Sequence, residues 1–243
     1  MKIKHLSYPI LIFYGLTPSI IWLCFYLRKD SHPESNSEVL KVFFFGMIVA
    51  IPAAIIEIAL FKIFRIFNPS PALLNFLNVF VGVALIEELA KYLVVKFEVL
   101  NNSEFDEPID AMLYMIIAAL GFAAIENILI LLPLGEPFIF GQIVSTSAFR
   151  FLGATFLHAL SSGLLGFFIA LSCLEHKNYR KLLFLGLIIS TILHGLFNFS
   201  IITNEKRPGI AFLLITALLI TLAVIISLGF GKVKKLKSVC KVD

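Results

Sequence analysis

The sequence predicts an all-α fold, a polytopic transmembrane helix bundle of about seven membrane helices plus one short interfacial or re-entrant helix. Composition predicts it first: 59% of the 243 residues are hydrophobic and 15% are charged, where soluble domains carry about 25% charged residues. Mean hydropathy is +0.97. Apolar runs long enough to cross a hydrocarbon core of roughly 30 Å, at about 1.5 Å per helical residue, recur along the chain between short polar or proline-bearing stretches.

Such a chain holds one membrane-embedded domain, expected at residues 1–231, with its motif-bearing core at 72–203 and a basic tail at 232–243. The bilayer is its first partner and the cell membrane its expected location. The net charge of +4 comes largely from Lys232, Lys234, Lys235, Lys237 and Lys241. They have no aromatic interleaving, so a nucleic-acid partner is not expected. Together with Arg28 and Lys177 they predict a cytoplasmic C-terminus, because basic residues accumulate on that side. Cys24, Cys173 and Cys240 are widely spaced, with no Cys-x-x-Cys pair, which predicts neither a disulfide framework nor a thiolate metal site.

The first span is expected at 8–27, retained because it is too long for a signal-peptide core and lacks a small-x-small cleavage site. A loop with Pro33 leads to a second span at 39–64 that contains Glu57, read as a neutral or snorkelled group beside Lys62 and Arg65. Pro69 and Pro71 form a turn that opens a third span at 72–97. An acidic loop leads to a fourth, from Pro108 or Asp110 to about 132, where a proline and an acid suit a helix start. Residues 142–174 are too many for one straight span. A short interfacial or re-entrant helix carrying Arg150 is therefore expected, followed by a membrane helix carrying His158, with Ser161, Ser162, Gly163 and Gly166 allowing close helix approach. A sixth span at 182–202 holds His194 and Asn198, four apart and so on one face. A last, wholly apolar span at 209–230 serves packing or anchorage.

The chain is organised around Glu87-Glu88-x-x-Lys91 inside the third span. Three ionisable groups facing lipid would cost about 7–10 kcal/mol even on lenient insertion scales, so they must face protein or water. Lys91 lies four residues from Glu87 and three from Glu88, close enough to pair with either while the other stays free. A structural ion pair between helices is the plain alternative. Against it stand Glu126, His158, His194 and Asn198, which together with that cluster make a set of membrane-depth polar groups from four helices that can converge in a bundle. Carboxylates and imidazoles in a dry cavity can activate water by two routes. One is a glutamate general base with His194 and Asn198 donating to an oxyanion. The other is a zinc ion held by histidines and glutamates drawn from Glu87, Glu126, His158 and His194. Buried carboxylates and histidines also serve proton-coupled transporters or a non-catalytic membrane protein, although no inverted repeat is visible.

These residues also carry a resemblance. Glu87-Glu88-x-x-Lys91, Glu107-Pro-Ile-Asp110-Ala-Met-Leu-Tyr114, Gly121-Phe-Ala-Ala-Ile-Glu126-Asn127, Arg150 followed by His158 with Gly163 and Gly166, and His194-Gly-Leu-Phe-Asn198 resemble, in this order, the motifs of the PrsW family of intramembrane proteases. That family is related to the type II CAAX prenyl endopeptidases and bacteriocin-processing membrane proteins. The resemblance implies an intramembrane endopeptidase in which Glu87 or Glu88 activates water, Lys91 is the charge partner and His194 with Asn198 forms the oxyanion site. Glu126 stands where the CAAX enzymes carry a histidine, and His158 is the substitute the resemblance offers. It implies either zinc or no cofactor, and a transmembrane protein substrate, since the family's best-known activity is site-1 cleavage of a membrane-spanning anti-sigma factor.

Overall fold

The computed structural model describes residues 4–29, 32–100, 102, 105–134, 140–173, 178–204 and 207–236, all of them helix, turn or loop. Among the described residues, seven helical segments are long and apolar enough to cross a membrane. Helix α1 (Lys4–Leu27) and α2 (Asn36–Ile66) come first. The third span, Pro71–Glu98, consists of α3 (Pro71–Phe76), a wide-turn π segment (Leu77–Leu85) and α4 (Ile86–Glu98). Then follow α5 (Pro108–Leu131), α6 (Phe140–Leu152), α7 (Ala154–Ser172), α8 (Tyr179–Thr203) and α9 (Pro208–Val233). The expected tail beyond residue 236 lies outside the described residues.

Local chemistry sets the helix ends. Ser35 caps α2 by accepting from the Glu38 amide at 3.3 Å, and Ser70 caps α3 through the Leu73 amide at 3.4 Å. Pro71, Pro108 and Pro208 stand at helix starts, where a missing amide hydrogen costs nothing. At the start of α5 the Asp110 carboxylate accepts from the Asp106 and Glu107 amides at 3.1 and 2.8 Å. The long run at 142–174 divides as its length requires. At Gly153 the backbone leaves the helix (φ −105°, ψ −96°), separating α6 with Arg150 from α7 with His158.

Helix α5 is the centre of the bundle. It is apolar all round, and every residue from Ala111 to Leu120 is at most 1% exposed, which is the pattern of a helix enclosed by others. It packs against α1, α2 and α7, with α8 against α7. Glycines make the contacts close: a Cβ on Gly121 would lie 2.0 Å from the Phe43 carbonyl oxygen of α2, and one on Gly166 of α7 would lie 2.5 Å from that of Ala111. Small residues at helix crossings give this backbone approach in membranes.

Cys24 is exposed and free, whereas Cys173 is disulfide-bonded, which corrects the expectation of no disulfide. Cys240 lies outside the described residues.

Candidate active site

The polar residues singled out in the sequence lie on α4, α5, α6, α7 and α8, and most of them meet in one buried network. Glu87 and Glu88 open α4 directly after the π segment, a wide-turn element that often marks functional sites. Glu88, wholly buried, accepts four hydrogen bonds. Its Oε1 accepts from Lys91 Nζ at 2.9 Å, His194 Nδ1 at 2.9 Å and Ser161 Oγ at 3.1 Å, and its Oε2 accepts from Ser162 Oγ at 2.8 Å. Glu87 is the freer carboxylate: among the described residues only Lys91 donates to it, to Oε2 at 3.3 Å. Lys91 therefore bridges both glutamates and also contacts His158 Nδ1 at 2.8 Å. Its ammonium lies 4.8 Å from the centroid of the Phe122 ring.

On the other side His158 Nε2 lies 2.8 Å from Glu126 Oε2, which also pairs with Arg150 Nη2 at 2.9 Å. Arg150 Nε donates to Asn127 Oδ1, and the Asn127 amide donates to the Gly15 carbonyl at 3.2 Å and Thr155 Oγ1 at 3.1 Å. Arg150 is thus carried to α5 across the Gly153 break, and α1 is tied to the same network.

These bonds set the states of both imidazoles. An ionised carboxylate only accepts, so a ring nitrogen facing one carries hydrogen. His194 then donates from Nδ1 to Glu88 and His158 from Nε2 to Glu126. In neutral rings the other nitrogens then present lone pairs; His158 Nδ1 lies 3.7 Å and His194 Nε2 3.8 Å from Glu87 Oε2. The rings meet edge to face, 5.0 Å between centroids. Glu87, His158 and His194 form a buried group whose ligand atoms all lie within 4.8 Å of one another. Three lone-pair atoms turned toward one point repel unless a cation or a proton lies among them. Lys91 answers two of the three, and no hydrogen bond among the described residues reaches His194 Nε2.

The donor set suits a metal ion. It offers two imidazole nitrogens and one carboxylate oxygen, a zinc-type combination. Each histidine is held through its other nitrogen by a carboxylate, the usual outer-shell arrangement of metal-binding histidines. The network also holds three carboxylates, Glu87, Glu88 and Glu126, against two bases, Lys91 and Arg150, an excess of formal negative charge. Of the four residues the sequence named as ligands, Glu126 is not in the converging group, because its carboxylate is engaged by His158 and Arg150.

Asn198 stands one turn beyond His194, half-buried and not hydrogen-bonded to the network among the described residues. Glu57, read from sequence as a neutral or snorkelled group, lies within electrostatic range of Glu87, Glu126 and Lys91. Ser161 and Ser162 enter as hydroxyl donors to Glu88, a role hidden by their reading as packing residues. Their signal was a pair of hydroxyls three and four residues after His158, on its helix face. The Glu107-to-Tyr114 motif works elsewhere: Tyr114 donates to Glu34 Oε2 at 2.7 Å and Asp110 caps α5, fixing the loop before α2 to the end of the central helix.

Residues 34–228 match the model of a family described as PrsW family intramembrane metalloprotease. The chain belongs to the PrsW family of intramembrane proteases. It is 32% identical over 197 residues to Protease PrsW of Geobacillus kaustophilus, covering 81% of each chain. It is 29% identical over 187 residues to Protease PrsW of Bacillus subtilis, 76% of this chain and 79% of that one. To Protease PrsW of Clostridioides difficile it is 27% identical over 209 residues, 85% and 84% of the two chains. No solved structure matches the chain. PrsW membership makes this protein a protease embedded in the membrane, with a protein substrate, and does not favour the transporter alternative.

Proposed function

We propose that this PrsW-family protease hydrolyses a peptide bond of a transmembrane protein at the Glu87, His158 and His194 group, and that these three residues hold a zinc ion. One observation carries the reading. Both histidines have one ring nitrogen fixed by a carboxylate, Glu88 or Glu126, while the other nitrogen faces Glu87 Oε2 at 3.7–3.8 Å. A zinc ion at such a site acidifies water and polarises a carbonyl.

The chain's own residues do the rest. Glu88, saturated by Lys91, His194, Ser161 and Ser162, is a positioning anion that keeps hydrogen on His194 Nδ1 and the lone pair on Nε2. Glu126, held by Arg150, does the same for His158. Besides its place in that group, Glu87 has capacity left to accept a proton from water at Oε1, because the one donor to it among the described residues, Lys91, reaches Oε2. With Nδ1 committed to Glu88, His194 serves better as a ligand than as an oxyanion donor, which leaves that part to Asn198 on the same helix face.

A second reading has its own observation. Lys91 Nζ, 2.8 Å from His158 Nδ1, occupies the nitrogen a metal requires, so the ammonium and a metal compete for it. If Lys91 keeps that bond, Glu87 acts as a metal-free general base.

The specific substrate we propose is a membrane-spanning anti-sigma factor, an extension of the family resemblance. The C-terminus faces the cytoplasm in this reading. Arg28 and Lys29 after α1 gather at the same end of the bundle as Lys232, Lys234 and Lys235, because α1 and α9 bring Lys29 and Lys234 to one pocket. Reconstitution of the purified protein with a membrane-spanning anti-sigma factor tests both activity and substrate. Cleavage by the wild type and none by His194→Ala is expected. Cleavage by His194→Ala at the wild-type rate refutes the site.

A further inference from the structure

Away from the catalytic network, α1, the α6–α7 break and α9 enclose a cavity of about 600 Å³, within the roughly 300–1,000 Å³ usual for ligand sites. Its walls are apolar and aromatic, with Trp22, Phe151, Phe156 and Ile226 among them, and two lysines, Lys29 and Lys234, line it as well. Lys29 follows the last turn of α1 and Lys234 the last turn of α9, so both cations stand directly after apolar, membrane-length helices. None of the proposed catalytic residues lines it.

The walls are held in place. The Trp22 ring stacks on Phe156 with centroids 4.2 Å apart and 11° between planes, and on Phe151 at 5.3 Å and 24°. Its indole N–H is satisfied by the Phe151 carbonyl at 2.9 Å, so an occupant meets a rigid apolar face that asks for no hydrogen bond. At the other end the Lys29 ammonium lies 4.8 Å from the Phe25 ring centroid. Among the described residues neither Lys29 nor Lys234 has an ion-pair partner.

An apolar cleft lined also by two lysines that follow helix ends matches a molecule with an acyl chain and a negatively charged head. Basic pockets between membrane helices take up anionic lipid head groups by this complementarity. We propose that this cavity binds one anionic phospholipid, its acyl chain against Trp22 and Phe156 and its phosphate between Lys29 and Lys234. The site extends beyond the proteolytic function and does not depend on how the active site works. At about 1 kcal/mol for each lysine, the pair favours an anionic over a zwitterionic head group about 30-fold at low salt.

Trp22 is the only tryptophan in the chain, so its fluorescence reports this cavity alone. The test is a titration of the full chain in uncharged detergent with phosphatidylglycerol or phosphatidylcholine brominated on the acyl chain, reading Trp22 quenching. Half-quenching is expected at about 10–30-fold lower mole fraction with phosphatidylglycerol, and the Lys29→Gln/Lys234→Gln double variant should move that curve onto the phosphatidylcholine one. Excess inorganic phosphate should leave the quenching in place, because it has no chain to seat. Equal quenching of the wild type by both lipids overturns the proposal, as does a preference that survives in the double variant. Reversal by phosphate alone overturns it in favour of a plain anion site.

Discussion

Replacing each member of the adjacent glutamate pair by glutamine separates a chemical role from a positioning role, because their surroundings differ so sharply. Glu88 is fully buried and accepts from Lys91, His194, Ser161 and Ser162. Glu88→Gln removes the charge opposite Lys91 and sets an amide that donates against groups that also donate. Breaking one side of a buried ion pair costs about 3–5 kcal/mol, a large part of a typical stability of about 5–15 kcal/mol. For a chain of this size about 2–4 °C accompanies each kcal/mol, so a fall in melting temperature of roughly 6–20 °C is expected. Glu87 accepts a single bond from Lys91 at 3.3 Å, and Lys91 keeps Glu88 when that bond is lost. Glu87→Gln is therefore expected to melt only about 3–12 °C below the wild type, less than Glu88→Gln, at a cost of about 1.5–3 kcal/mol for one charge-assisted hydrogen bond, and to be inactive. The assay pairs thermal unfolding in detergent with cleavage of a reconstituted membrane substrate. Equal melting temperatures for the two variants, or an active Glu87→Gln protein, refute the division of roles.

Three further outcomes follow from the same network. Arg150→Gln leaves Glu126 without its guanidinium and loosens His158, so cleavage should fall about 10–100-fold, the usual effect of losing an outer-shell partner, with partial recovery in Arg150→Lys; an undiminished rate would detach Arg150 from the site. Asn198→Ala should lower kcat about 100–1,000-fold with KM unchanged, as for loss of one oxyanion donor, and leave metal content and melting temperature as they were; a change confined to KM would instead make it a substrate-binding group. Gly121→Ala sets a methyl group 2.0 Å from the Phe43 carbonyl oxygen, so α2 and α5 must separate, at about 1–3 kcal/mol, read as a lower melting temperature; an unchanged one would mean the crossing is loose.

What was legible in the sequence follows from local rules. Spacing alone placed Lys91 within reach of Glu87 and Glu88, though it bridges both where pairing with one was expected. Length alone required a break between Arg150 and His158, which Gly153 supplies. Hydropathy read out seven spans because each must satisfy its backbone internally in lipid. Convergence across the bundle was not legible in this way. That His158 approaches Lys91 and His194 approaches Glu88 depends on how α7 and α8 pack against α4, which no single span states. The π segment before Glu87 left no sign either, since an extra residue per turn leaves an apolar run apolar. Ser161 and Ser162 were read by size because small residues at helix crossings pack as well as they donate.

The central claim is that Glu87, His158 and His194 form one metal-holding hydrolytic centre, and metal content tests it most directly. Elemental analysis of the detergent-purified protein should find one zinc per chain, lost in His158→Ala and in His194→Ala and kept in Asn198→Ala. Cleavage should disappear with a chelator and return with added zinc. A metal-free protein that cleaves at its full rate in chelator would contradict the claim and leave Glu87, with Lys91 bound to His158, as the base that activates water.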